Sequence, residues 1–286
     1  MSSLSLKSYA KVNLFLEVLW KRDDGYHEIE SLIQKISLCD NILLEDRLKD
    51  ITILCPNKKI NIPSNHNNLA YKAAKLLIER FNIKKGISIT IDKKIPVGSG
   101  LGGGSSNAAS VLKGLNQLWN IGLKNAELQE LGAEIGSDVP FFINGKTALV
   151  KGRGVKIHTC FTMPKIWLVL AIPNISVSTK WAYGRLDREL TKNINSARLP
   201  RLKKLQVKDI VNNLFNRLEG VVFKEYPLIK AIKEKMIACG ASGALMSGTG
   251  SAVFGIASSK DNAYKIAKKI SNDPKLEVAC YVASGL

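Results

Sequence analysis

The chain has 286 residues, 45% of them hydrophobic, with 42 Lys and Arg against 24 Asp and Glu, giving a formal charge of +18. That length buries one large core or two modest ones and reads as soluble and globular. The charge favours anionic partners such as nucleotides, phosphorylated metabolites or nucleic acid without choosing among them, and scattered lysines are first of all a solvated surface.

Along the chain, Val12 to Trp20 is the longest apolar stretch near the start, and Asn13 and Glu17 interrupt it. It offers neither a signal-peptide core nor a membrane span of about 20 apolar residues, so a cytoplasmic location and no membrane partner are expected. Leu4, Leu6, Val12, Leu14, Leu16 and Val18 alternate as on half-buried strands, and the pattern resumes at Ile29, Leu32, Ile36 and Leu38. Lys11 stands out in this pattern, because an unpaired lysine on an apolar strand is costly unless it lies at a sheet edge. Asn68 to Phe81 switches to helical spacing behind capping candidates Asn67 and Asn68. A strand follows at Ile87 to Ile91, then a glycine loop, a helix from about Ser105 to Trp119 and another from about Asn125 to Ile135.

After the turn Gly152 to Gly154, the apolar run Ile166 to Ile172 suits a buried strand and opens a second domain. Helical stretches are expected at about Thr179 to Glu189, Lys208 to Leu218 and Leu228 to Cys239. A basic cluster, Arg198, Arg201, Lys203, Lys204 and Lys208, surrounds Pro200 in a polar connection. A glycine-rich turn from Ala244 to Gly255, a helix near Asn262 to Ile270 and a strand from Leu276 to Val282 close the chain. The mixture is α+β, in two domains at residues 1–160 and 161–286. Cys39, Cys55, Cys160, Cys239 and Cys280 are odd in number and form no CxxC pair, so they read as reduced core thiols. His27, His66 and His158 are the only histidines, which argues against a histidine-based metal site.

Five glycines fall in the seven residues Gly98 to Gly104, and the run leads into Ser105, Ser106 and Asn107. Glycine lets the backbone approach a ligand closely, and the helix behind it presents free N–H groups and a positive dipole end to an anion, which together make a phosphate cradle. A flexible linker is the bland alternative, but linkers seldom join a regular strand to a regular helix. Gly98, Gly100 and Gly103 also satisfy G-x-G-x-x-G, yet a second helix follows where a dinucleotide fold needs a strand carrying an acidic residue. A Walker A loop fails too: Gly145, Lys146 and Thr147 supply G-K-T, but Pro140 stands at the first required glycine. The protein-kinase set of motifs is missing.

S-Y-A-K-V-N-L-F-L-E-V with D-G-Y-H near the start, P-V-G-S-G-L-G-G-G-S-S-N-A-A-S with G-S-D-V-P-F-F downstream, and M-S-G-T-G-S-A-V-F late in the chain resemble the GHMP kinases, in the order expected of that family. The resemblance implies a two-domain GHMP-kinase fold, with an N-terminal ATP-binding domain and a C-terminal ferredoxin-like, substrate-binding domain. It implies ATP as co-substrate, Mg2+, and transfer of the γ-phosphate to the 2-hydroxyl of 4-diphosphocytidyl-2-C-methyl-D-erythritol in the non-mevalonate route to isoprenoid precursors. The partner is then a small molecule carrying a cytidine diphosphate group, with no nucleic acid, and the protein acts as a monomer or homodimer. Asp138 matches the family's catalytic aspartate and Lys11 the lysine that holds it ionised. The ATP loop comprises Pro96, Val97, Gly98, Ser99, Gly100, Leu101, Gly102, Gly103, Gly104, Ser105 and Ser106, with Ser99 standing where the family commonly has alanine or glycine. Asn68 falls at the adenine pocket and Ser106 is the candidate magnesium ligand. Tyr26 and His27 fall at the cytosine, Tyr183 at the opposing aromatic, and Asn13 at the polyol or a phosphate; Thr179 and the Ser247 to Ser251 turn are weaker substrate-binding candidates. Without the resemblance, Asp138 reads as a turn or cap residue and each tyrosine as ordinary packing. Homoserine, galactose and mevalonate-type kinases would share the loop, and a nucleic-acid-binding module would explain the charge but not Asp138.

Overall fold

The computed structural model describes residues 2–158, 163–187 and 205–286. Cys160, Glu189, Arg198, Arg201, Lys203 and Lys204 lie outside the described residues. In chain order the elements are β1 (Ser3–Lys21), β2 (His27–Arg47), β3 (Ile51–Leu54), α1 (Leu69–Arg80), β4 (Gly86–Asp92), α2 (Gly103–Leu118), α3 (Asn125–Ile135), α4 (Val139–Asn144), β5 (Thr147–Gly152) and β6 (Lys156–His158). They continue as β7 (Trp167–Pro173), α5 (Thr179–Leu186), α6 (Val207–Asn212), β8 (Phe215–Asn216), α7 (Glu219–Glu225), α8 (Pro227–Ala238), β9 (Gly243–Met246), β10 (Val253–Ala257), α9 (Lys260–Ser271) and β11 (Val278–Ser284). The architecture is α+β.

Contacts group the chain into two compact units, each assembled from several segments. The first comprises Met1–Ala10, Cys39–Val97 and Gly102–Gly145. Within it the second half of β2 pairs antiparallel with β4, from Asn41 opposite Asp92 to Arg47 opposite Gly86, and β3 adds in parallel on the far side of β4. Helices α1, α2, α3 and α4 pack on one another. Asn68 caps α1 by accepting from the Ala70 N–H at 2.9 Å, as its type and position predict. Gly114 sits where a Cβ would press into Leu6 and Leu44, so α2 lies close on the strands only because that position is bare.

The second unit comprises Lys11–Leu38, Gly98–Leu101 and Lys146–Leu286. Its antiparallel sheet has the order β11-β7-β10-β9. Leu16, Val18, Val169, Ala171, Ile229, Ile232, Met236, Val253 and Ile266 belong to one buried apolar cluster in this unit. β5 pairs with the first half of β2, and β6 with β5.

Four expectations change. The first strand alternates as expected only at its start, Ser3 to Lys7; from Ala10 to Val18 both faces are sealed, so Lys11, Asn13 and Glu17 are interior groups and each has a polar partner. The expected helix from Lys208 to Leu218 stops at Asn212, and Phe215 and Asn216 instead pair in parallel with Phe15 and Leu16. Helix α2 begins two residues earlier than Ser105, because Gly102 takes the left-handed conformation (φ 70°) as its N-cap. The described cysteines are free but only half-buried, not core; burial still pushes the Cys280 thiol up to about 11. No helix among the described residues is long and apolar enough to cross a membrane.

Candidate active site

In the glycine loop Gly98, Gly100 and Gly102 take the left-handed conformation, at φ 67°, 78° and 70°. Ser99 and Leu101 turn inward between the less buried Gly98, Gly100 and Gly102, while Val97 is 57% exposed. A Cβ on Gly100 would overlap the carbonyl oxygen of Ser247 and reach within 2.9 Å of that of Gly250. The Ala252 N–H donates to the Ser99 carbonyl at 3.0 Å, and the Ser247 hydroxyl donates to the Gly100 carbonyl at 3.1 Å. The turn Ser247 to Ser251, a weak candidate by sequence, is therefore the support of the loop's first half. Asn216 holds that turn from below, its amide donating to the carbonyls of Met246 at 2.8 Å and Gly248 at 2.7 Å.

Lys11 is 4% exposed. Its backbone N–H donates to the Leu101 carbonyl at 3.0 Å, and its ammonium donates to Asn13 Oδ1 at 2.6 Å. Asn13 passes the chain on, donating from Nδ2 to the Ser31 hydroxyl at 2.8 Å, which donates to the Phe15 carbonyl at 2.7 Å. A Cβ on Gly248 (φ 58°) would stand 3.6 Å from the Lys11 ammonium and 3.5 Å from Asn13 Oδ1. The strand lysine, its asparagine and the late glycine turn thus form one cluster, and Lys11 is buried in it and not an exposed edge lysine.

The loop's second half starts α2. Gly102 supplies no side-chain cap, and the Ser106 N–H already donates to the Gly102 carbonyl at 2.9 Å, so the orphan donors at the helix start are those of Gly103, Gly104 and Ser105. Beneath them lies a polar network the sequence did not reveal. Asp40, fully buried, accepts from Lys93 Nζ at 2.5 Å, from the backbone N–H of Lys94 at 2.7 Å and of Ile95 at 2.8 Å, and from Asn107 Nδ2 at 2.8 Å. Burial holds the Lys93 ammonium below its ordinary pKa, with Asp40 opposing. Asn107 also donates to the Ser8 hydroxyl at 2.8 Å, which donates to Ser106 Oγ at 2.8 Å. The network fixes the first turn of α2 to β4: a Cβ on Gly103 would meet Lys93 Nζ at 2.8 Å.

Asp138 occupies the N-cap position of α4 without capping it, since its side chain makes no cap hydrogen bond there. Asp138 lies in the turn before α4, and capping of that helix does not account for its half-buried carboxylate. Asn68 spends its amide on capping and on the Pro63 carbonyl, to which Nδ2 donates at 2.7 Å.

In the second unit, His27 begins β2 with its side chain 8% exposed and its ring 4.9 Å from that of Tyr183 on α5. Its Nε2 lies 2.6 Å from Asp187 Oδ1, and Lys21 Nζ lies 2.8 Å from Oδ2 of the same carboxylate. Burial favours the neutral acid of Asp187, but the hydrogen bonds from Lys21 and His27 outweigh it and leave the carboxyl below its ordinary range. Tyr26 is half exposed with the Arg153 guanidinium 5.3 Å from its ring centre. Thr179 stands 3.3 Å from Thr249, at the late glycine turn. His27, Tyr183, Asn13 and Thr179 were expected; Asp187, Asp40, Lys93, Asn107 and Asn216 were not. The only sequence signal for the last five was a polar residue within or beside an apolar element.

Two family models match, "GHMP kinases N terminal domain" over residues 68–146 and "GHMP kinases C terminal" over residues 199–275. A curated protein of Bacillus cereus named 4-diphosphocytidyl-2-C-methyl-D-erythritol kinase is 48% identical over 256 residues, covering 88% of each chain. One of the same name from Geobacter metallireducens is 44% identical over 273 residues, covering 95% of each. The crystal structure of a 4-(cytidine 5'-diphospho)-2C-methyl-D-erythritol kinase superposes with a TM-score of 0.80 at 32% identity, over 99% of this chain and 100% of the other.

Proposed function

The chain belongs to the GHMP kinases, and we propose that it transfers the γ-phosphate of ATP to the 2-hydroxyl of 4-diphosphocytidyl-2-C-methyl-D-erythritol, in the cytoplasm, on the non-mevalonate route to isoprenoid precursors. The relatives that share nearly half of its sequence carry the name of that activity over almost their whole length. The uncapped start of α2 behind three left-handed glycines carries the phosphate half of the proposal, because it offers backbone donors and a positive dipole end with no side chain in the way.

In the reaction the substrate oxygen forms a bond to the γ-phosphorus as the bond to the ADP oxygen breaks, and the hydroxyl proton passes to a base. Catalysis here is mainly alignment and charge neutralisation. Asp138 is the base in this proposal, and its carboxylate is not spent on capping α4. The Lys11 ammonium, held by Asn13, draws the transferring phosphate. Magnesium keeps several waters and binds mostly through substrate phosphates, so one protein oxygen suffices. Ser106 fits: its hydroxyl oxygen accepts one hydrogen bond from Ser8 and keeps a second lone pair. When bound, the ion would neutralise charge on the phosphates.

The cytidine end is assigned to Tyr26, His27 and Tyr183, and Asn13 and Thr179 to the polyol and its phosphates. Stacking of a base on an aromatic ring is worth about 1–3 kcal/mol, enough to favour a nucleotide-bearing substrate over a bare polyol. Coupled detection of ADP tests the whole proposal: purified protein with ATP, magnesium and the diphosphocytidyl substrate turns over. Turnover on homoserine or mevalonate in its place would overturn the substrate.

A further inference from the structure

We infer that Asp187 is a specificity-determining positioning residue: by fixing the proton of His27 on Nε2, it makes the other ring nitrogen an acceptor and so selects cytosine over uracil. This rests on the proposed function, in which His27 reads the base. Asp187 is ionised near neutral pH, and a carboxylate only accepts hydrogen bonds, so the 2.6 Å contact requires that Nε2 carry the hydrogen. In the neutral ring the lone pair then sits on Nδ1, and Nδ1 makes no hydrogen bond to any described residue. His27 is nearly sealed and its ring is set against Tyr183, so the direction of that lone pair is fixed by its neighbours and not by solvent.

Cytosine carries an amino donor at the 4-position and a bare acceptor at N3, whereas uracil carries a carbonyl acceptor at the 4-position and an N–H donor at N3. In this inference Nδ1 stands opposite the 4-position, where its lone pair matches the amino group of cytosine and meets the carbonyl oxygen of uracil with another acceptor. Such a mismatch discriminates far better than a difference in size, because a buried polar group is left unpaired. Lys21 supplies the second half of the device. It binds Asp187 Oδ2 at 2.8 Å and holds the carboxylate's other oxygen on the imidazole.

Asp187→Asn gives an unusually sharp test. Lys21 can only donate, so it keeps the amide oxygen on its own side and turns the NH2 toward His27. Nε2 must then accept, the proton moves to Nδ1, and the site becomes a donor suited to uracil. Initial rates are measured for the wild type, Asp187→Asn and Asp187→Ala with the diphosphocytidyl substrate and its diphosphouridyl counterpart. The wild type prefers cytidine; in Asp187→Asn the ratio of the two kcat/KM values falls by about 10- to 100-fold, mostly through KM, with the KM for ATP unchanged. In Asp187→Ala the ratio falls less. An equal loss on both substrates would make Asp187 merely structural and overturn the inference. The 15N spectrum of the His27 ring provides a readout without substrate: the Nε2–H form in the wild type and the Nδ1–H form in Asp187→Asn are expected, and an Nδ1–H wild type overturns the inference. A wild type inactive on the cytidyl substrate instead overturns the proposed function and removes this inference with it.

Discussion

Lys93 and Asp40 form an ion pair at 2.5 Å with side chains 4% and 0% exposed, directly under the first turn of α2. A buried pair of this kind contributes little net stability, but breaking it from one side is costly because the surviving charge has nowhere to go.

The two sides are not equivalent. Asp40 has four donors, so Lys93→Met leaves it three. Asp40→Ala strands an ammonium together with two backbone N–H groups and the Asn107 amide. We expect Asp40→Ala to lose about 3–5 kcal/mol of unfolding free energy and Lys93→Met less than about 2 kcal/mol. Urea unfolding decides it, and equal losses would mean that the ion pair, not the donor count, sets the cost.

Two glycines of the same loop should respond in opposite ways. Gly100→Ala places a methyl group into the Ser247 carbonyl at a φ of 78°, so both fold and ATP binding should suffer. At Gly104, inside α2, an added Cβ meets only Leu69 at 3.7 Å. Gly104→Ala should therefore gain about 0.4–1 kcal/mol of stability by restricting the unfolded chain. Its KM for ATP should nevertheless rise if the loop backbone approaches the phosphates there. Calorimetry alongside ATP kinetics separates the two effects, and a Gly104→Ala protein with unaltered ATP kinetics would place the phosphates elsewhere.

These contrasts also mark what was legible in the chain. The glycine loop and Lys11 are anomalies against their own neighbours, five glycines in one case and a charge in an apolar strand in the other, so local pattern exposed them. The start of α1 behind its cap Asn68 follows from capping and spacing in the same way. Nothing local marks Asp40, because its partners Lys93 and Asn107 are 53 and 67 positions away in sequence. Asn216 was masked by helical spacing that a parallel pairing with β1 overrides. Asp187 resembles any charge on an expected helix until the fold brings it to His27, 160 positions earlier. Local rules see one element, whereas these groups acquire their roles only from contacts between elements.

Asp138 offers a test in which catalysis and capping predict opposite signatures. A capping aspartate replaced by alanine costs about 1 kcal/mol and leaves chemistry intact; a lost general base lowers kcat about 10²- to 10⁴-fold. Because its side chain does not cap α4, Asp138→Ala should show the second pattern, a loss in kcat. A near-normal kcat would remove Asp138 from the reaction.

Acid should loosen the contact between Asp187 and its two donors before it unfolds the chain. The carboxyl is held below its ordinary value of 3.8, burial pushing it up and the bonds from Lys21 and His27 pulling it down by more. The unfolded chain therefore takes up this proton at a higher pH than the folded one. The stabilisation is complete above 3.8 and is lost as pH falls through the lower, folded value. Since the Lys21 side is 57% exposed, the amount is small, about 1 kcal/mol or less. Urea unfolding of the wild type and Asp187→Asn at a series of pH values should show a constant difference from about pH 5 down to the ordinary carboxylate range. Below it the two curves should converge, because only the wild type has the group to protonate. Curves that stay parallel to the lowest pH would mean that the carboxylate's charge does not hold this corner of the site.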